Sequence, residues 1–152
     1  MKHWTFLLSL ILIVGISSCK KDGLNEEEQL AIDIEKIENY LEVHQLTAEK
    51  TSSGLYYHII NSGAGTHPDI NSNVRVNYTG RLIDGTVFEK DVTTNFALSS
   101  VIEGWQEGIP LIKTGGKCRL YIPSKLAYGD KQVGSIPANS VLIFDIHLIS
   151  FH

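Results

Sequence analysis

Cysteine is nearly absent: Cys19 and Cys118 are the only two, so a Cys19 committed to another use leaves Cys118 without an intrachain disulfide partner. The histidines His44, His58, His67, His147 and His152 stand alone, and no Cys/His pair has metal-ligand spacing. No metal site and no cofactor are therefore expected. Clustered basic charge is also missing. Thirteen Lys and Arg against seventeen Asp and Glu give a net charge of −4 with the cations scattered, which excludes a phosphate-binding surface and so a nucleic-acid partner. The longest apolar run, residues 6–16, falls short of the ~20 residues a membrane-spanning helix needs. Glycine fingerprints fail too. Gly63-Ala64-Gly65 has Pro68 where a third glycine should open a helix, and Gly116-Lys117 has neither the upstream glycine at 111 nor a following Ser or Thr. The sequon Asn77-Tyr78-Thr79 lies inside an expected strand and is discounted.

The short apolar run has a different use. Lys2 and His3 precede it and Ile16-Ser17-Ser18-Cys19 closes it, the arrangement of an export signal. The closing tetrapeptide resembles a bacterial lipobox, which implies cleavage before Cys19 and acylation of its thiol. The expectation is a signal peptide over 1–18, a lipidated tether over 19–25 and a location on a bacterial membrane, taken as the outer one, facing the periplasm or cell exterior.

Asn25 followed by Glu26, Glu27 and Glu28 predicts a helix start, with a capping side chain and acids at the positive end of the dipole. Leu30, Ile34, Ile37 and Leu41 share one face of a helix over 26–43, and Asp33, Glu35, Glu38 and Glu42 occupy the other. That apolar face packs on the domain or, alternatively, forms a weak homodimer seam. A helical extension is thus assigned to 26–49 and a domain to 50–152. Strands are expected at 55–60, around 74–79, after an Asp84-Gly85 hairpin turn, at 117–122 and at 141–151, with a short helix within 101–111 stopped near Pro110. Alternation buries Cys118 as an inert thiol and aligns Leu142, Phe144, Ile146 and Leu148 on one face. The fold class is α+β, an antiparallel sheet with its helices on one side.

Dense motifs run through the second half: Val76-Asn77-Tyr78-Thr79-Gly80, Asp84-Gly85-Thr86-Val87-Phe88, Val101-Ile102-Glu103-Gly104-Trp105-Gln106-Glu107-Gly108, Gly115-Gly116-Lys117, Leu126-Ala127-Tyr128-Gly129 and Ile136-Pro137-Ala138-Asn139. In this order and spacing they resemble the FKBP family of peptidyl-prolyl cis–trans isomerases over residues 50–152. The resemblance implies an FKBP-like half-barrel of antiparallel strands wrapped on the short helix. It further implies a pocket with Trp105 as floor and Tyr78, Phe88, Val101, Ile102, Tyr128, Ile136 and Phe144 as walls. Small neighbours, Gly104 and Gly108, would leave the Trp105 indole face open.

The same resemblance gives the Tyr128 hydroxyl and the Ile102 backbone N–H the task of holding substrate carbonyls. Rotation about an X–Pro bond faces a barrier of ~18–20 kcal/mol, and a dry aromatic pocket favours the less polar twisted state over the planar amide. Proline-containing polypeptides among exported proteins are the implied substrates. Three departures stand out. Glu89 replaces the family's Asp beside Tyr78, no Arg follows within 90–94, and the aromatic wall expected near Thr94 is missing. They predict a wider, wetter and slower pocket, and they leave a second reading: a catalytically weak holdase or docking module for unfolded chains.

Overall fold

A computed structural model of the protein describes residues 24–152, so the export signal and Cys19 lie outside the described residues. Helix α1 spans Glu26–Val43. Asn25 Oδ1 accepts from the N–H groups of Glu27 and Glu28 at 3.0 and 2.9 Å, and Glu28 returns a carboxylate to Asn25 N at 3.0 Å. This reciprocal cap satisfies donors that every helix start leaves free. Six strands follow: β1 Glu49–Lys50, β2 Tyr56–Asn61, β3 Asn73–Leu82, β4 Val87–Ala97, β5 Lys117–Ile122 and β6 Leu142–Phe151. They form one antiparallel sheet in the order β1-β2-β5-β6-β3-β4. Helix α2, Glu103–Gly108, lies in the connection between β4 and β5 and runs on into a 3-10 turn over Ile109–Leu111. Pro110 sits in that turn, where its missing N–H costs nothing.

Period-two alternation divides the sheet into two faces. Val74, Val76 and Tyr78 of β3, Leu120 and Ile122 of β5, and Leu142, Phe144, Ile146 and Leu148 of β6 are buried on the α2 side with Trp105 and Ile109. Tyr56, Tyr121 and Ile143 point the other way, under Ile37 and Leu41 of α1. Each fully buried Ile or Leu contributes roughly 1.5–3 kcal/mol, so α1 is held by a small core of its own. The two helices therefore lie on opposite faces, and the expectation of helices on one side is corrected. The strand after the hairpin, for which the sequence defined no end, runs to Ala97, and the edge strand β1 was not foreseen. On the α1 side Asp145 receives Arg119 Nε at 2.5 Å and the Arg81 guanidinium, tying β5 and β3 to β6.

One member of the acidic face of α1 is misplaced by its pattern: Asp33 is wholly buried, with Oδ2 accepting from the backbone N–H and the hydroxyl of Ser124 at 2.8 and 2.5 Å. Glu35, Glu38 and Glu42 are exposed as expected. Cys118 is buried, and desolvation, with the Asp145 charge second, pushes its thiol up to about 12. Among the described residues no helix is long and apolar enough to cross a membrane, and no group of three or more His, Cys, Asp and Glu is placed to hold a metal ion.

Candidate active site

The site forms where α2 lies across the sheet, and two glycines set how close it comes. A Cβ on Gly104 would meet Ile122 Cγ2 at 2.5 Å, and one on Gly108 would meet Leu120 Cδ1 at 2.4 Å. Four residues apart, they share the helix face that presses on β5. They do not open the indole face of Trp105, as the sequence suggested. Instead they let the helix sink until Trp105 is only 4 % exposed. A third close approach occurs at Gly80, where a Cβ would lie 2.4 Å from Phe88 Cε2 and 2.8 Å from Phe144 Cε1.

Around Trp105 the rings cross edge to face. The centroid of Tyr78 lies 4.9 Å away at 85°, Phe144 at 5.1 Å and 84°, and Phe96 at 5.7 Å and 83°. Edge-to-face pairs align positive ring edges with negative ring faces and add ~0.5–1.5 kcal/mol each beyond burial. Their outer surfaces, with Val101, Ile102 and Tyr128, bound an open cavity of about 230 Å³. Glu89 and Ser100 stand at its rim.

Phe96 is the wall that the sequence reading found missing. The pairing of β4 with β3 places Phe96 opposite Val74, Thr94 opposite Val76 and Val92 opposite Tyr78. All three face the core side, and the aromatic ring arrives two residues after Thr94. The expectation of a wider pocket for want of that wall is corrected. Glu89 also reaches its target: the Tyr78 hydroxyl donates to Glu89 Oε2 at 2.7 Å. Burial raises the Tyr78 pKa well above the ordinary tyrosine range, and the hydrogen bond to Glu89 and its charge add to the shift. Burial likewise raises Tyr128, with the Glu89 charge second. Both phenols are thus protonated and able to donate at neutral pH.

Of the residues singled out in the sequence, Tyr78, Glu89, Val101, Ile102, Trp105, Tyr128 and Phe144 come together at the cavity. Phe88 stands behind it, edge-on to Phe144 at 5.6 Å. Ile136 is buried in the adjoining core rather than at the cavity surface. Ile102 is the N-cap of α2, so its N–H has no acceptor within the helix. An apolar, ring-walled cavity with a few hydrogen-bond donors at its margin suits a flat, weakly polar group such as a prolyl ring with an adjacent carbonyl.

The family model for FKBP-type peptidyl-prolyl cis-trans isomerase matches residues 65–149. The chain belongs to the FKBP family. It is 39 % identical over 139 residues to the FKBP-type isomerase FkpA of Aeromonas hydrophila, covering 84 % of this chain and 52 % of that protein. It is 43 % identical over 104 residues to the peptidyl-prolyl cis-trans isomerase Mip of Coxiella burnetii, covering 65 % of this chain and 45 % of that protein. The crystal structure of FkpA from Escherichia coli superposes with a TM-score of 0.72 at 39 % identity, over 82 % of this chain and 62 % of that one. A Pseudomonas syringae isomerase structure does so with a TM-score of 0.68 at 32 % identity, over 85 % and 97 %. The chain spans about half the length of the curated relatives it matches. The matched FKBP segment contains the entire cavity, whereas α1 precedes it.

Proposed function

We propose that this chain is a peptidyl-prolyl cis–trans isomerase for exported, proline-containing polypeptides. The observation that carries the reading is the ring cage: Trp105 crossed by Tyr78, Phe96 and Phe144 beneath a cavity open to solvent on one side. The prolyl ring lies on Trp105, and the Tyr128 hydroxyl and the Ile102 N–H hold the flanking carbonyls. Rotation needs no nucleophile. Excluding water from the planar amide removes part of its ground-state stabilisation, and each ~1.4 kcal/mol gained by the twisted state gives a tenfold rate increase. The Tyr78–Glu89 bond and the Phe96 wall weigh against a holdase without catalysis, because they answer two of the three departures; the absence of Arg from 90–94 stands. In an assay on short prolyl peptides, Tyr128→Phe should lower kcat/KM a few-fold to about tenfold, the worth of one hydrogen bond of ~0.5–1.5 kcal/mol. A parent protein that fails to accelerate isomerisation, whatever residue precedes the proline, refutes the reading.

The proposed location is a bacterial membrane, reached through lipid on Cys19 after removal of residues 1–18, with the domain facing the periplasm or cell exterior. The lipobox-like Ile16-Ser17-Ser18-Cys19 supports it. Each acyl methylene buried contributes ~0.8 kcal/mol, so Cys19→Ala should leave the membrane fraction; a variant that stays there overturns the anchor. Self-association through α1 would have to use its outer surface, since Ile37 and Leu41 are buried against the same chain's sheet.

A further inference from the structure

The buried carboxylate of α1 is unexplained by the packing of that helix. Docking on the sheet is already supplied by Ile37 and Leu41, and an apolar residue at position 33 would serve docking better, because a buried charge must be desolvated. Asp33 nevertheless sits at 0 % exposure with both oxygens engaged: Oδ2 by Ser124 N and Oγ, Oδ1 by Gln29 Nε2 at 2.8 Å. Lys36 Nζ lies 3.5 Å from Oδ1. Hydrogen bonding of this completeness keeps the charge tolerable and makes the geometry specific.

What it holds is the base of the loop that carries Tyr128. The carbonyl of Ser124 accepts from Ala127 N at 2.9 Å and from Gly129 N at 2.8 Å, the two amides that flank Tyr128. The Gly129 carbonyl in turn accepts from Asn139 N at 2.8 Å, which closes the loop containing Ile136. Asp33 therefore fixes both the donor side of Ser124, through its amide and hydroxyl, and by way of the same residue the acceptor on which the Tyr128 turn hangs. The neighbouring Lys125–Glu26 pair, 3.5 Å apart with side chains 42 % and 82 % exposed, is too solvated to do this.

We propose that Asp33 is a positioning residue for the pocket: through Ser124 it holds the turn that aims the Tyr128 hydroxyl, so that the helical extension, although outside the FKBP-matched segment, sets the geometry of the site. Its effect on rate rests on the isomerase reading above; its effect on the loop does not.

The test uses the full chain with four changes: Asp33→Asn, nearly isosteric and able to keep one acceptor; Ser124→Ala, which removes only the hydroxyl; Tyr128→Phe; and Ile37→Ala, which weakens the packing of α1 through a side chain that makes none of the Asp33–Ser124 bonds. Melting is followed for each, and amide hydrogen exchange is followed at Gly129 and Asn139. Asp33→Asn should speed exchange of those two amides by about tenfold and lower kcat/KM by a similar factor, equivalent to ~1.4 kcal/mol. Ser124→Ala should do the same to a smaller extent. In the Tyr128→Phe background most of the activity loss should disappear, because two changes acting through one group are not additive. Ile37→Ala should lower the melting temperature yet leave kcat/KM unchanged below the melt. Equal activity losses in both backgrounds, or a loss that tracks melting as in Ile37→Ala, overturn the proposal. So does unchanged exchange at Gly129 and Asn139 in folded Asp33→Asn. If the parent is inactive the isomerase reading falls, and the exchange result alone decides whether Asp33 holds the loop.

Discussion

Gly104→Ala tests whether the floor of the pocket depends on how deeply α2 sinks into the sheet. On an isolated helix the change is favourable by about 1 kcal/mol, since alanine is the better helix former. Here the added methyl would stand 2.5 Å from Ile122 Cγ2 and 2.9 Å from Cδ1, against ~3.5–4.0 Å for a relaxed carbon pair. An overlap of about 1 Å cannot be relieved by swinging Cγ2, which is fixed directly to the β-carbon of a χ1-restricted residue. The helix must move, and overpacking of this kind costs ~1–3 kcal/mol. With the overlap at the severe end, the expected net destabilisation is about 2 kcal/mol after the helix gain is subtracted. At about 4 °C per kcal/mol for a domain of this size, the melting temperature should fall by about 8 °C. Because Trp105 is the next residue, isomerase kcat/KM measured below the melt should fall as well. Gly108→Ala is the internal comparison. Its methyl meets Leu120 Cδ1 at 2.4 Å and Cδ2 at 2.8 Å, the far end of a side chain that can change rotamer, so it should be milder. A Gly104→Ala protein as stable as the parent, or less perturbed than Gly108→Ala, refutes the reasoning.

Two further outcomes follow from the same geometry. Phe96→Ala removes a ring edge-on to Trp105 at 5.7 Å and should cost ~3–4 kcal/mol of stability at most, since the residue is only partly buried; its kcat/KM should fall more than that of Thr94→Ala, and equal effects would show that Thr94 carries the wall. Cys118→Val should flatten the alkaline stability profile: the native thiol is raised from 9.0 to about 12, so its contribution is complete below pH ~9 and is lost as pH rises towards about 12. Denaturant titrations at pH ~8 and ~9.5, where unfolded tyrosines are still mostly protonated, should then show a steeper decline in the parent than in the variant.

Most of the sheet was legible because its core strands alternate cleanly: β5 over 117–122 begins and ends where expected, and β6 within a residue. What was not legible has physical causes. β1 has two residues, both exposed, too few to display a period. The end of β4 was not legible because its register shifts twice against β3, between Tyr78 and Gly80 and between Gly80 and Arg81, and Asp91 takes a positive φ of 54°. Extra residues at a bulge break the alternation that sequence reading relies on. The same irregularity moved the aromatic wall to Phe96, beyond the position at which it was sought. Asp33 was assigned to water because a carboxylate among glutamates on a helix reads as solvated. Its partner is 91 residues further along the chain, and no local pattern carries that information. The roles of Gly104 and Gly108 were misread for a related reason. A small residue beside an aromatic can open a face or admit a neighbour, and only the position of β5 decides between them.

The chemistry of the site follows from what its polar groups cannot do. Cys118, the one thiol among the described residues, lies in the core with its pKa pushed up to about 12, so it supplies no thiolate at neutral pH. The tyrosines are held protonated by burial, which makes them donors rather than bases. Glu89, the carboxylate at the cavity, has one oxygen committed to Tyr78. Such a set can orient a carbonyl but is poorly equipped to break a covalent bond. An X–Pro bond asks for nothing more, since its barrier is resonance, and resonance is lost by rotation once the amide is held in a medium that no longer rewards planarity. In the reading proposed above, the walls provide that medium through rings held by their mutual packing and, at Tyr78, by one hydrogen bond to Glu89. The fine geometry then rests on the two elements that bring donors to the margin: the start of α2, which presents the Ile102 N–H, and the Ser124 turn, which presents Tyr128. The first is set by glycines that let the helix approach β5, and the second by a carboxylate buried in the helix on the opposite face. A change to either support should therefore alter catalysis before it alters the cage.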